Sequence, residues 1–105
     1  MEEPNFSYLN SFTEGDKAFE EKILTVLKKE FPEERDVYLK NIQAKKFDLA
    51  ANNVHKIKHK ISLLGLEVSY ALANQHELNL NEDNNNLHEK FTEILDTMTR
   101  FLNEL

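Results

Sequence analysis

Residues 47–65, FDLAANNVHKIKHKISLLG, contain the pattern that decides the fold of this 105-residue chain. Their apolar side chains recur at steps of three and four, the period of a helix with one buried face. Gly65 closes the run, and a glycine after an apolar helical pattern is typical of a helix end. The stretch therefore predicts one amphipathic helix, from about Phe47 to Leu64. Its buried stripe is expected to contain Phe47, Ala50, Val54, Ile57, Ile61 and Leu64.

The sequence before this stretch repeats the helical period and has few places to turn, since the chain holds two glycines and two prolines. A short helix is expected around Phe6 to Phe12, after which Gly15 and Asp16 would break the chain and cap the next helix. The long run from Lys17 to about Lys45 predicts one helix kinked at Pro32. Two consecutive helices also fit, because a proline followed by acidic residues resembles a first helical turn.

The sequence after Gly65 predicts a fourth helix from Leu66 to about Leu78, an asparagine-rich loop over Asn79 to Asn86, and a last helix. We therefore predict an all-α fold: an antiparallel up-down four-helix bundle with a short N-terminal capping helix, forming a single domain over residues 1–105. The phenylalanines are expected in the core, as are the apolar positions of the last helix. Those positions are Leu87, Phe91, Ile94, Met98, Phe101 and Leu105.

Charge is divided unevenly along the chain. Residues 40–62 hold six lysines and one acidic residue, a local balance of +5, whereas the whole chain carries −6. A cationic patch around histidine suits a group that carries or meets a phosphate dianion. The acidic balance elsewhere argues against general nucleic-acid binding, which requires positive charge over a broad face. We call these lysines the lysine island: Lys40, Lys45, Lys46, Lys56, Lys58 and Lys60.

Composition excludes several other classes of protein. The chain has no cysteine, so disulfides and cysteine-based zinc or redox sites are absent. No apolar run approaches the roughly 20 residues that span a bilayer, and residues 1–4, MEEP, lack the basic start of a signal peptide. We therefore expect a cytoplasmic protein that does not contact the membrane, and we expect a monomer.

His55 is the candidate reactive residue. Advancing about 100° per residue from Val54 places His55 at the edge of the buried stripe, where its imidazole meets solvent on a rigid backbone. Lys58 lies on the neighbouring side of the same turn, within reach of a phosphoryl oxygen, whereas Lys56 and Lys60 point further away. Phosphoryl transfer requires such a fixed nucleophile with charge neutralisation nearby. The same column of the helix contains Asp48, Asn52, His59 and Ser62.

Around His55 the chain resembles the histidine-containing phosphotransfer (HPt) domains of multistep two-component signalling. Their phosphorylated helix reads A-H-x-L-K-G and is followed by L-G; here residues 54–59 read VHKIKH and residues 64–66 read LGL. Residues 6–9 (FSYL), Gly15-Asp16 and Phe47-Asp48 also match the family in order and spacing. The resemblance covers about residues 6–80, and the remainder matches only as a closing helix.

The resemblance implies a function and a set of partners. His55 would be the phosphoacceptor, usually through Nε2, and Lys58 the supporting lysine. Response-regulator receiver domains would be the partners, each bringing its own Mg²⁺, with a hybrid histidine kinase upstream. This chain would need no cofactor. It has no phosphate-binding glycine loop, so we expect no autonomous kinase activity.

His59 departs from the family pattern, because HPt domains commonly have glycine there. It would narrow the approach to His55, bind the phosphoryl group, or point outward, and it is a weak candidate for a second acceptor. His55 and His59 also have the i, i+4 spacing of a zinc pair, but position 56 is not glutamate and the flanking lysines repel a dication, so we predict no metal site. The alternative function is a non-phosphorylated helical module that docks on a receiver domain or kinase.

Overall fold

The computed structural model describes residues 2–105 and consists of α-helices, with no strand in that range. Met1, which the predicted domain and the MEEP segment include, lies outside the described residues. The all-α prediction is confirmed. The helices are α1 (Ser7–Thr13), α2 (Lys17–Gln43), α3 (Phe47–Leu63), α4 (Glu67–Leu80) and α5 (His88–Asn103).

The long helix α2 runs through Pro32 without interruption, so the two-helix alternative is wrong. Asp16 caps it as predicted, since its Oδ1 accepts the Phe19 N–H at 3.1 Å. An interior proline costs a helix about 3 kcal/mol. Leu27 and Phe31, both nearly fully buried just before Pro32, each contribute roughly 1.5–3 kcal/mol of burial, enough to keep the helix continuous.

Helix α3 supplies the centre of the core. It packs along α2 on one side and α4 on the other, while α5 packs against both α4 and α2. The predicted stripe is buried because every third or fourth side chain of α3 faces these neighbours. One member, Phe47, is half-buried. The other five are 0% exposed: Ala50, Val54, Ile57, Ile61 and Leu64.

Two predicted boundaries are wrong near the C-terminus. Helix α4 continues through Asn79 to Leu80, because Leu80 is 1% exposed and belongs to the core, so the connecting loop starts later than the asparagine run suggested. Helix α5 ends at Asn103, which leaves Leu105 beyond the helix and 45% exposed. Leu102, 3% exposed, takes the core position that the heptad pattern gave to Leu105.

Two phenylalanines lie at the surface and contradict the prediction that all are in the core. Phe12 is 55% exposed and Phe19 is 42% exposed. Helix α1 is a single short element that turns Leu9 into the core, so Phe12 on another side of it has no helix above it. The rings gather instead with Tyr8, with centroids 6.4 Å apart for Tyr8 and Phe12 and 6.0 Å for Phe12 and Phe19. We call Tyr8, Phe12 and Phe19 the aromatic ridge.

The segment before α1 fastens the turn between α3 and α4. The Asn5 N–H donates to the Leu64 carbonyl at 2.8 Å, directly over Gly65. Gly65 has φ +72°, and a Cβ there would lie 2.5 Å from Asn5 Oδ1. The Glu2 carboxylate then accepts the N–H groups of Val68 and Ser69, both at 2.9 Å, and caps α4. Burial opposes its ionisation, but these hydrogen bonds lower the pKa of Glu2.

A polar network lies inside the core between α2, α4 and α5. The Tyr38 hydroxyl is 2.7 Å from His76 Nε2 and 2.8 Å from His88 Nδ1, and Tyr38 and His76 are 0% exposed. His76 Nδ1 has no hydrogen-bond partner among the described residues. A buried unpaired acceptor is commoner than a buried unpaired N–H, which favours His76 with its proton on Nε2, donating to Tyr38. The Tyr38 O–H then donates to His88. Burial raises the pKa of Tyr38.

Candidate functional site

His55 lies on α3 where the helical period placed it. Its side chain is 56% exposed, while Val54 and Ile57 beside it are fully buried. The imidazole therefore meets solvent from a backbone that is fixed by the core on the other face of the helix. This is the position that a partner's reactive group can approach without entering a deep pocket.

A carboxylate from the next helix orients the His55 ring. Glu77 on α4 places Oε2 at 3.2 Å from His55 Nδ1. Because an ionised carboxylate only accepts hydrogen bonds, this pairing puts the imidazole proton on Nδ1. The lone pair of a neutral His55 then belongs to Nε2, the nitrogen on the far side of the ring from Glu77.

Lys58 is buried behind this pair rather than free at the surface. Its side chain is 9% exposed, and its Nζ lies 2.9 Å from Glu77 Oε1 and 3.1 Å from Asn74 Oδ1. The ammonium also sits 5.6 Å from the centre of the Tyr70 ring, within cation–π range. Glu77 Oε1 is buried and accepts no well-angled hydrogen bond, so the Lys58 charge is what compensates it. The result is a chain of contacts from Lys58 to Glu77 to His55.

His59 is the other ring at this surface. Its centroid is 5.2 Å from that of His55, and the two planes are 87° apart. Among the secondary candidates, Asn52 and Lys56 are exposed on the same helix. Ser62 is half-buried and lines a pocket of about 220 Å³ with Tyr8, Leu66 and Tyr70, outside the contacts that hold His55.

The lysine island is divided by the fold. Lys58 is committed to Glu77 and Asn74, and Lys60, 12% exposed, lies 3.3 Å from Glu30 and 3.0 Å from Glu34 on α2. These two lysines join α3 to its neighbouring helices. The remaining four, Lys40, Lys45, Lys46 and Lys56, are exposed to solvent.

Three residues of the site were missed by sequence reasoning. Tyr70, Asn74 and Glu77 all reach His55 or Lys58 from α4. Their spacing of four and three does place them on one face of a helix, which is a signal the sequence contained. Nothing in that spacing tells which face of α3 they meet, because the match depends on how the two helices pack.

An apolar groove runs beside His59 between α2 and α3. Its volume is about 310 Å³, and its walls include Phe19, Val26, Leu63 and His59. Phe19 connects it to the aromatic ridge, and Lys60 also lines it. An exposed apolar groove next to a reactive side chain is a common feature of protein docking sites. We call this feature the α2–α3 groove.

No protein-family model matches this chain, and neither characterised proteins nor solved structures gave a match. Within residues 2–105, no helix is long and apolar enough to cross a membrane. The same range contains no group of three or more histidine, cysteine, aspartate or glutamate side chains arranged to hold a metal ion.

The chemistry available to this site is that of a single oriented nucleophile. The His55 side chain is exposed, Glu77 can stabilise positive charge that develops on the ring, and Lys58 keeps Glu77 in place. An imidazole polarised by a carboxylate is a common way to raise nucleophilicity and fix a tautomer. A phosphoryl group carried on Nε2 would leave the ring cationic, with its Nδ1 proton still directed at Glu77.

Proposed function

We propose that this chain is a histidine phosphotransfer protein, which relays phosphoryl groups between receiver-domain aspartates through His55. One observation supports this above the others: His55 is exposed, yet Glu77 and Lys58 hold its ring in a single orientation. A carboxylate on the second ring nitrogen fixes the tautomer and orientation of an imidazole, which favours its use as a nucleophile. The resemblance of residues 54–66 to the HPt motif supports the same function.

The transfer step follows from the tautomer. A receiver's aspartyl phosphate docks over α3, neutral His55 attacks phosphorus through Nε2, and the Nε2–P bond forms as the P–O bond to the aspartate breaks. The aspartate leaves as a carboxylate. The ring proton stays on Nδ1, where Glu77 balances the new positive charge. Lys58 holds Glu77 in position for this step, and transfer to a second receiver reverses these steps.

We also propose how the helices are arranged and which partners the chain meets. Helices α2 to α5 are proposed to form an antiparallel up-down four-helix bundle that α1 caps, a design that builds sites from side chains on facing helices. Receiver domains would be the partners and would bring their own Mg²⁺, with a hybrid histidine kinase upstream. We propose a cytoplasmic monomer that binds neither nucleic acid nor membrane. The chain itself would use no cofactor or metal.

The receiver is proposed to dock on the α2–α3 groove and the aromatic ridge. Phe19 offers apolar contact beside His59, and Phe12 extends that contact from Phe19. The exposed lysines Lys45 and Lys46 offer positive charge to an acidic rim. Apolar contact lengthens the residence of a partner, while charge raises the rate of encounter. Exposure of these phenylalanines also fits the second candidate function, a docking module that binds a receiver or kinase without being phosphorylated.

One experiment separates the two functions. Wild type and His55→Gln are incubated with a panel of phosphorylated receiver domains, and the label is followed by intact mass and by its loss in acid. An acid-labile phosphoryl group on wild type alone is the expected result. Binding of a receiver with no label on either protein would favour the docking module. Label on both proteins would move the acceptor to another histidine, with His59 tested next.

A further inference from the structure

The His55 imidazole, which would carry the phosphoryl group on Nε2, lies beside a second imidazole on its own helix. Glu77 occupies the Nδ1 side of the ring, so Nε2 is the nitrogen left to react. His59 lies one helical turn further along α3, with its ring centroid 5.2 Å from that of His55 and the planes nearly perpendicular. A phosphoryl group on Nε2 adds three acceptor oxygens, and a second imidazole at this distance offers them a ring N–H.

Two of the three lysines nearest His55 in the sequence are already engaged. Lys58 is 9% exposed and held by Glu77 and Asn74, and Lys60 is held by Glu30 and Glu34. Lys56 follows His55 directly, and adjacent residues on a helix point about 100° apart. His59 has no hydrogen bond or ion pair among the described residues and is exposed on the same side as His55. It is therefore the donor best placed to meet phosphoryl oxygens.

We propose that His59 binds the phosphoryl group carried by His55, by donating a ring N–H to a phosphoryl oxygen. This inference rests on the proposed function and names the residue that holds its transferred group. No covalent bond to His59 is involved: the only bond formed is Nε2–P on His55. In this role the imidazole supplies a donor that the glycine of the usual motif lacks, whereas Lys58 is paired with Glu77 and Asn74.

Binding of the phosphoryl group by His59 would slow the hydrolysis of phospho-His55, which a purely steric role would not require. Hydrolysis of the N–P bond passes through a loose, metaphosphate-like transition state, in which the oxygens carry less negative charge than in the bound phosphoryl dianion. A donor to those oxygens therefore stabilises phosphohistidine more than its transition state. Loss of one such hydrogen bond should shorten the lifetime of phospho-His55 by about twofold to tenfold.

Phosphoramidate is the phosphoryl donor for the test, because it labels histidine without any receiver domain and releases ammonia. The half-life of the label is followed by phosphorus NMR at neutral pH in wild type, His59→Ala, His59→Gln and Lys56→Gln. His55→Gln, treated in parallel, corrects for label on other histidines. Alanine keeps the helix, glutamine keeps an N–H donor, and the Lys56 variant removes a neighbouring donor that points elsewhere.

We expect a shorter half-life in His59→Ala, partial recovery in His59→Gln and no change in Lys56→Gln. The ring resonances of His59 should also shift on phosphorylation of the wild type, and more than those of the buried His76. An unchanged or longer half-life in His59→Ala would overturn the inference, as would failure of His55 to accept the label. If His59→Ala shortens the half-life as expected but no receiver domain transfers a phosphoryl group to the wild type, the proposed relay is overturned and the role of His59 stands.

Discussion

Glu77 Oε2 lies 3.2 Å from His55 Nδ1, although 22 positions separate the two residues in the sequence. The contact joins α3 to α4 and turns an exposed histidine into one with a defined tautomer. Lys58 completes it from the buried side, at 2.9 Å from the other carboxylate oxygen. The reactive histidine lies on α3 and its carboxylate partner on α4, so each can be substituted separately.

Glu77→Gln should slow phosphoryl transfer to His55 by at least about tenfold while leaving the protein folded. The amide has the shape of the carboxylate but no charge to balance the cationic phosphoimidazole. Transfer rates from a phosphorylated receiver measure the effect. Glu82→Gln is the matched control, because it removes the same charge from the exposed turn after α4. Equal rates in the two variants would refute the role of Glu77.

His55→Gln should abolish labelling yet change the free energy of unfolding by no more than about 0.5 kcal/mol, because the side chain is half exposed and contributes little packing. Denaturant unfolding and receiver labelling on one preparation measure both quantities. A large loss of stability with loss of labelling would mean that His55 has a structural role instead.

Lys58→Met should lower the free energy of unfolding by about 1–3 kcal/mol, because it leaves the partly buried Glu77 carboxylate without its compensating charge. Transfer should weaken as well, since Glu77 loses the contact that holds it. Lys56→Met changes an exposed lysine two residues away on the same helix, so it should leave the free energy of unfolding nearly unchanged. Equal unfolding midpoints for the two variants would show that the Lys58 contact contributes nothing.

Gly65→Ala should destabilise the protein more than Gly15→Ala, although both glycines have positive φ, +72° and +81°. The left-handed backbone costs an L-residue roughly 1–2 kcal/mol at either site. A Cβ at Gly65 also meets Asn5 at 2.5 Å, whereas a Cβ at Gly15 meets nothing within 4 Å. Unfolding of both variants, and of Gly65→Ala combined with Asn5→Gly, measures the extra cost. The double variant should recover part of it.

Stability should fall as the pH drops through the acid range because of His76. Burial, and secondarily the charge of His88, lower the pKa of His76 from 6.5 to about 4. The unfolded chain therefore binds the extra proton between about pH 6.5 and 4, and the native state loses up to about 3 kcal/mol across that window. Above pH 6.5 the contribution is constant.

His76→Leu removes this titration, so its free energy of unfolding should depend less on pH between 6.5 and 4 than that of the wild type. Denaturant unfolding at a series of pH values compares the two slopes. His59→Leu is the control, since that histidine is exposed. Parallel slopes for wild type and His76→Leu would contradict the assignment.

Local pattern predicted much of the fold because helices repeat every 3.6 residues. The stripe of α3, the cap at Asp16 and the stop at Gly65 each depend on a few neighbouring residues, and each was confirmed. The pattern was wrong where apolar character alone was the signal. Phe12 and Phe19 are apolar but remain exposed. Helix α4 continues into the asparagine-rich run because Leu80 packs in the core.

The sequence by itself determined that this chain is helical, that His55 lies at the edge of the α3 stripe, and that lysines cluster near it, because all three follow from spacing along one segment. Only the tertiary structure decided that Glu77 and Asn74 face His55 and Lys58, and that Lys60 pairs with α2. Those contacts depend on the rotation and offset of one helix against another. That packing is fixed by side chains from the whole core, and no single segment encodes it.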